Sequence, residues 1–278
     1  DGDMDKAMVI LREKGLASQT NKAGRTAAEG VVVALVQGST GVIAEINCET
    51  DFVAKNPEFT GFANAAAQTV IDANPADLET LNKTKISGGS GETVEEALQN
   101  IFLKIRENMK VRRFERAEGT LVSYVHGEGK IGVLVQLKTD ADGSNPELLE
   151  CGKNCALQIA ALNPGYLNRE SVPESVILSE KEIIKKQMAE DPKMQGKPDQ
   201  VLDKIAEGKL GKYFSENCLL EQEYVKDGDL TVQKYVDGVA KAIGAEITVK
   251  NFIRYERGEG IERQESNLAD EVAQMIGK

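Results

Sequence analysis

The chain repeats itself, and the repeat limits what it can fold into. Gly30 matches Gly119, Gly38 matches Gly127, Thr50-Asp51 matches Thr139-Asp140, and Asn56-Pro57-Glu58 matches Asn145-Pro146-Glu147, each pair 89 residues apart. What both copies keep is read as fold. What one copy keeps alone is a candidate for function. At the same offset Phe52-Val53 fall opposite Ala141-Asp142, so the aromatic belongs to the first copy only.

The periodicity of each copy predicts the same succession of elements. Val31 to Gln37 and Val42 to Ile46 flank Gly38-Ser39-Thr40-Gly41 and read as a β-hairpin. Phe59, Phe62, Ala63, Ala66, Val70 and Ile71 then form one apolar helical stripe, which Asn74-Pro75 ends because the residue before proline disfavours helix. In the second copy Leu121 to Val125 and Ile131 to Leu137 make the hairpin. Leu148, Cys151, Cys155, Ile159 and Ala160 make the stripe, and Asn163-Pro164 ends it. Residues 76–91 read as loop. Thr93 to Asn108 is predicted helical and Val111 to Phe114 extended. Glu174 to Glu190 and Asp199 to Phe214 are two polar helices with a short connection, which pack most easily as an antiparallel hairpin. Val232 to Ile243 is predicted helical and Glu246 to Tyr255 a strand. Arg254 to Gly260 echoes Arg113 to Gly119 as one strand-to-turn device used twice.

The expected class is therefore α+β: two repeated subdomains of small antiparallel sheets covered by helices, an inserted helical hairpin at 174–214 and a C-terminal helix. The expected divisions are a remnant helical module at 1–16, a linker at 17–29, core subdomains at 30–110 and 111–230, and a C-terminal strand and helix module at 231–278. Short helices are expected at Asp3 to Lys14 and Asn267 to Ile276, each with apolar residues at helical spacing.

Charge and cysteine usage narrow the function classes. With 41% hydrophobic and 28% charged residues the chain reads as globular and soluble. A net charge of −11 argues against neutralising nucleic-acid phosphates, which needs a basic face. No apolar run approaches the ~20 residues that span a bilayer, and no signal peptide is read at the start. Four cysteines in 278 residues make no disulfide scaffold, so a reducing compartment is expected.

Few residues carry candidate chemistry. A phenylalanine at a strand end belongs by default to its own core, but the second copy makes the equivalent turn without an aromatic and Asp51 and Lys55 flank Phe52 with charge, which favours a functional reading. Asp51 reads either as a helix cap or as a charge turned against phosphate. His126 is the only histidine, so neither a histidine-rich metal site nor a base with a second imidazole can form. Cys151 and Cys155 have half the spacing of a zinc site, but align with Phe62 and Ala66 inside the apolar stripe and read as buried small hydrophobes. Gly88-Gly89-Ser90-Gly91 lacks the following lysine of a phosphate loop. No metal and no cofactor is expected. A cysteine-dependent enzyme using Cys48 with His126 is the rival from another class, and Cys218 has no clear partner.

Asn47-Cys48-Glu49-Thr50-Asp51-Phe52-Val53-Ala54-Lys55 resembles the signature of the elongation factor Ts family, the guanine-nucleotide exchange factors of elongation factor Tu. Four further stretches agree in the family's order: Asn21 to Gly30, Ser123 to Gly127, Gly196-Lys197-Pro198 with Glu207-Gly208, and Ile253 to Glu262. The resemblance implies that Thr50, Asp51, Phe52 and Val53 are pushed between helices of the partner's nucleotide domain. Groups holding Mg²⁺ and the β-phosphate shift, and GDP leaves for GTP. It implies further contacts from Tyr124 and His126, and from the terminal helix with Met275. It implies action on a protein without covalent chemistry, binding no nucleic acid or membrane, as a homodimer or in a 2:2 complex. The implied location is a bacterial cytoplasm, with an organellar origin left open. A scaffold that binds elongation factor Tu without releasing nucleotide is the remaining alternative.

Overall fold

A computed structural model describes Lys6, Gln19 and residues 21–262. The expected helices at Asp3 to Lys14 and Asn267 to Ile276, with Met275, lie outside the described residues.

The chain forms two compact units. Of the described residues, the first takes those up to Ala117, the segment Val125–Gly132 and residues 255–262. Strands β1 (Glu29–Gln37) and β2 (Thr40–Cys48) make the expected hairpin, in register from Glu29 opposite Cys48 to Gln37 opposite Thr40. Gly30 explains its own repetition. Its φ is +137°, and a Cβ there would stand 2.0 Å from the Ile46 carbonyl oxygen. Its counterpart Gly119 has nearly the same φ, +126°. Only glycine adopts that conformation without strain, so both copies keep it for the backbone and not for chemistry.

Beyond β2 come a one-turn helix α1 (Asp51–Ala54), α2 (Pro57–Ala73), α3 (Leu78–Lys83), α4 (Val94–Ile105) and β3 (Lys110–Glu118). β3 adds to β2 and completes a three-stranded sheet. The stripe of α2 packs Phe59, Phe62, Ala63, Ala66 and Val70 against Val42, Ala44 and Ile46 of the sheet, together with Leu98 and Phe102 of α4. Helix α3 falls in the stretch read as loop. It is six residues long and buries only Leu81, so it leaves no periodic stripe to detect.

A buried carboxylate sits in this unit. Glu45, on β2, is fully buried and paired with Arg112 at 3.0 Å and Arg113 at 2.7 Å. It also accepts hydrogen bonds from the amide of Gly258, 2.8 Å, and from Asn47 Nδ2, 3.0 Å. Burial by itself raises the Glu45 carboxyl, but those donors outweigh it and hold the group below its ordinary range.

The second unit takes Glu118–Tyr124 and Val133–Arg254. Strands β4 (Thr120–His126) and β5 (Ile131–Thr139) form the second hairpin, and α5 (Pro146–Leu162) follows. At Gly152 that helix comes so close to the sheet that a Cβ would meet Val122 Cγ2 at 2.5 Å. Cys151 and Cys155 are buried on the same helix, as their place in the stripe predicts. Asn74 and Asn163 end α2 and α5, both at φ 47°. The proline rule anticipates an extended residue at these points. The structure has left-handed ones, a conformation asparagine tolerates better than most residues.

Helices α6 (Glu174–Glu190) and α7 (Asp199–Asn217) make the inserted pair, with α7 three residues longer than expected. A small ribbon, β6 (Glu223–Tyr224) with β7 (Asp227–Thr231), had no clear sequence signal. It leads into α8 (Val232–Ile243) and β8 (Ile247–Glu256). β8 is hydrogen-bonded beside β5, so the strand grouped by sequence with the C-terminal end is the third strand of the second sheet. The echo of Arg113 to Gly119 in Arg254 to Gly260 therefore marks equivalent places in the two sheets. The α+β expectation holds.

Candidate functional site

The signature residues occupy the corner between β2 and α2, and each has a distinct structural task. Thr50 caps α1: its backbone is extended and its Oγ1 accepts from the Val53 amide at 3.3 Å. Asp51 is the first helical residue, so the cap is Thr50 and not Asp51. The Asp51 carboxylate lies in the first turn, where negative charge suits the helix dipole, and it reaches Lys55 at 3.7 Å. Val53 and Ala54 point inward and belong to the core of the first unit.

Phe52 points the other way. Its exposure is 83%, far above any other large hydrophobic among the described residues. The geometry follows from the period of a helix: with Val53 and Ala54 anchored, the preceding residue is turned to the outer face. An exposed phenylalanine held by buried neighbours gains nothing for this unit's own core.

The anchoring extends to every polar group of Thr50. Its amide donates to Glu107 Oε2 at 3.1 Å and its hydroxyl to Glu107 Oε1 at 2.8 Å. Its carbonyl accepts from the Ala54 amide at 3.2 Å and from Cys48 Sγ at 3.1 Å. Beside it, Glu49 Oε1 accepts from the Asn108 amide at 2.6 Å, and Asn108 Nδ2 donates to the Arg25 carbonyl at 2.7 Å. Glu107 is the residue that sequence reasoning did not single out. It lies 57 positions from Thr50, in the last turn of the helix expected over Thr93 to Asn108; α4 ends at Ile105 instead, and Glu107 falls in the link beyond it.

Cys48 is fully buried. Burial first, and then the nearby charges of Glu107 and Glu29, push its thiol up to about 12. A reactive cysteine needs the opposite shift. Protonated, it serves as the donor to Thr50. The direction of this shift argues against a cysteine-dependent enzyme using Cys48 with His126. Cys218 is also buried, its thiol pushed up to about 11.

The second copy turns this corner differently. Thr139 and Asp140 stand where expected, but no one-turn helix precedes α5; Ala141 donates its amide back to Thr139 Oγ1 at 3.0 Å, and Ser144 donates its amide to Asp142 Oδ1 at 2.9 Å. The one-turn helix and its aromatic thus belong to the first copy alone.

Thr50, Asp51, Phe52 and Val53 are gathered on one turn. Tyr124 and His126 lie on β4, two positions apart and so on one face of that strand, with His126 exposed at its end. Met275 is outside the described residues. No cluster of three or more metal-ligating side chains occurs among the described residues, nor does any helix there long and apolar enough to cross a membrane.

Comparison with known proteins agrees with the motifs. The family model described as Elongation factor TS matches residues 49–259. The chain is 47% identical to elongation factor Ts of Clostridium perfringens strain SM101, over all of this chain and 91% of that protein. It is 46% identical to elongation factor Ts of Syntrophotalea carbinolica, over 99% of this chain and 90% of that one. The match begins at Glu49, takes in the exposed Phe52 with its capped turn, and ends at Glu259 just beyond β8: the chain belongs to the elongation factor Ts family.

Proposed function

We propose that this chain is a guanine-nucleotide exchange factor for elongation factor Tu, and that Phe52 is the group it inserts into the partner's nucleotide domain. The observation that carries the reading is the 83% exposure of Phe52 on a turn whose other apolar residues are buried. Membership of the family supplies the partner.

Exchange is a linkage. A factor that prefers the empty partner is weakened by nucleotide in the same ratio by which it weakens nucleotide. Burying one phenylalanine contributes about 1.5–3 kcal/mol. At ~1.4 kcal/mol per tenfold that is roughly one to two decades of the ratio. Displacement of Mg²⁺ and of groups on the β-phosphate supplies the remainder. Asp51, at the outer end of the turn, brings negative charge toward the phosphate side. Thr50 and Val53 hold the turn, while Tyr124, His126 and the terminal segment with Met275 add grip from the second copy and the chain end. No covalent step is involved, and the setting is the bacterial cytoplasm.

The test is stopped-flow release of fluorescent GDP from elongation factor Tu. The intact chain accelerates release, and Phe52→Ala loses about ten- to a hundredfold of the maximal rate while still binding. Equal acceleration by both proteins removes Phe52 from the mechanism. Binding by the intact chain without acceleration makes it a scaffold.

A further inference from the structure

We infer that Glu107 is the positioning residue for Phe52: its carboxylate fixes Thr50, and through Thr50 the direction in which α1 presents the aromatic. The inference rests on the reading of Phe52 just given and adds to it a residue outside the signature.

A four-residue helix cannot hold itself in place. Its one turn has too few hydrogen bonds to offset the backbone entropy, so the geometry of such a helix is set by what grips its ends. The C-terminal side of α1 is gripped by burial, through Val53 and Ala54. On the N-terminal side the grip is one carboxylate. Both Glu107 oxygens are used, one on the Thr50 amide at 3.1 Å and one on its hydroxyl at 2.8 Å. The second bond matters for direction. A threonine hydroxyl can cap from more than one rotamer, but one that gives its proton to Glu107 has its lone pair turned to Val53, 3.3 Å away. The clasp is reciprocal, since Glu49 beside Thr50 takes the amide of Asn108 beside Glu107, at 2.6 Å. Bonds to a charged acceptor are about twice as strong as neutral ones.

The second copy provides a natural comparison. Arg106 ends α4 and Gly244 ends α8, both left-handed, at φ 65° and 69°. Counting from those caps, Asn108 corresponds to Glu246 and Glu107 to Ala245. The Glu246 amide still donates to a carboxylate of this corner at 2.7 Å, but to Asp140, the counterpart of Asp51 and not of Glu49. The returning carboxylate is missing, and no one-turn helix precedes α5. The corner with the glutamate carries a helix and an aromatic; the corner with alanine carries neither.

The test uses the full chain with elongation factor Tu and Glu107→Ala, Glu107→Gln, Thr50→Val and Thr50→Ser. Glu107→Ala is expected to lower the maximal GDP-release rate about tenfold, while the concentration for half-maximal effect changes less than about twofold. Thr50→Val should behave alike, and Thr50→Ser, which restores the hydroxyl, should recover most of the rate. Glu107→Ala combined with Phe52→Ala should be no slower than Phe52→Ala alone, because the carboxylate acts only through the aromatic. Amide exchange at Val53 and Ala54, followed without the partner, should quicken in Glu107→Gln while the middle of α2 is unchanged. A full release rate in Glu107→Ala alongside a slow Phe52→Ala overturns the inference and leaves the reading of Phe52 standing. Losses that multiply in the double variant overturn it as well. If Phe52→Ala is as fast as the intact chain, the reading of Phe52 fails instead, and unchanged amide exchange in Glu107→Gln then rejects the anchoring too.

Discussion

Two phenylalanines seven positions apart have opposite roles, and their exposures separate them. Phe59 is fully buried between sheet and helices, whereas Phe52 is 83% exposed. Phe59→Ala should therefore cost about 3–5 kcal/mol of stability, read as a lowered urea midpoint. Phe52→Ala should leave that midpoint unchanged, and a drop comparable to that of Phe59→Ala would mean that Phe52 is core after all. That Phe52 stands apart from the core was legible because the chain contains its own control: one copy has the aromatic and the other does not. Glu107 was not legible. A carboxylate at the end of an expected helix looks like solvated charge until folding brings it against Thr50, 57 positions earlier. Asp51 shows a finer limit. Residue type allowed it to be the cap, and only the backbone showed the cap to be Thr50, with Asp51 inside the first turn.

Among elements, those with a long apolar period were readable and those of a few residues were not. The stripes of α2 and α5 fix both the helices and the faces they bury. Helix α1, four residues long, and the ribbon of β6 and β7 are too short to show a period. Helix α4 illustrates what a local signal can do when it is complete. Thr93 and Glu96 form a capping box, each side chain accepting from the other's amide at 3.2 and 3.0 Å. Thr93→Ala should lower stability by about 1 kcal/mol in urea titration. Since α4 leads directly to the link carrying Glu107, the same variant should also quicken amide exchange at the start of the helix. An unchanged midpoint would show that tertiary packing holds α4 without its cap.

At the scale of the whole molecule, the duplicated pattern was clear from sequence, while the partner of each hairpin was hidden by distance along the chain. β3 is hydrogen-bonded beside β2, although sequence groups Val111 to Phe114 with the second subdomain at 111–230. β8 joins β5 only after the inserted helices, so its place in the second sheet became visible only in the structure. Glu45 depends on comparable distances. Its carboxyl is held below the ordinary range in the fold, so it contributes stability above the usual carboxylate pKa of about 4.3, and that contribution is lost as pH falls through the lowered value. Urea midpoints measured between about pH 3 and 6 should fall on acidification, and the fall should be shallower in Glu45→Gln. Parallel curves would assign the acid sensitivity to other groups. Glu45→Ala should cost about 3–5 kcal/mol, because two arginines lose their buried counter-charge. The amide of Gly258 that completes this carboxylate's shell lies 213 residues after it. On a ribosome adding about 5–20 residues each second, that donor arrives some 10–40 s after Glu45 has been made. Until then the carboxylate has Asn47, Arg112 and Arg113 as partners but lacks this one donor.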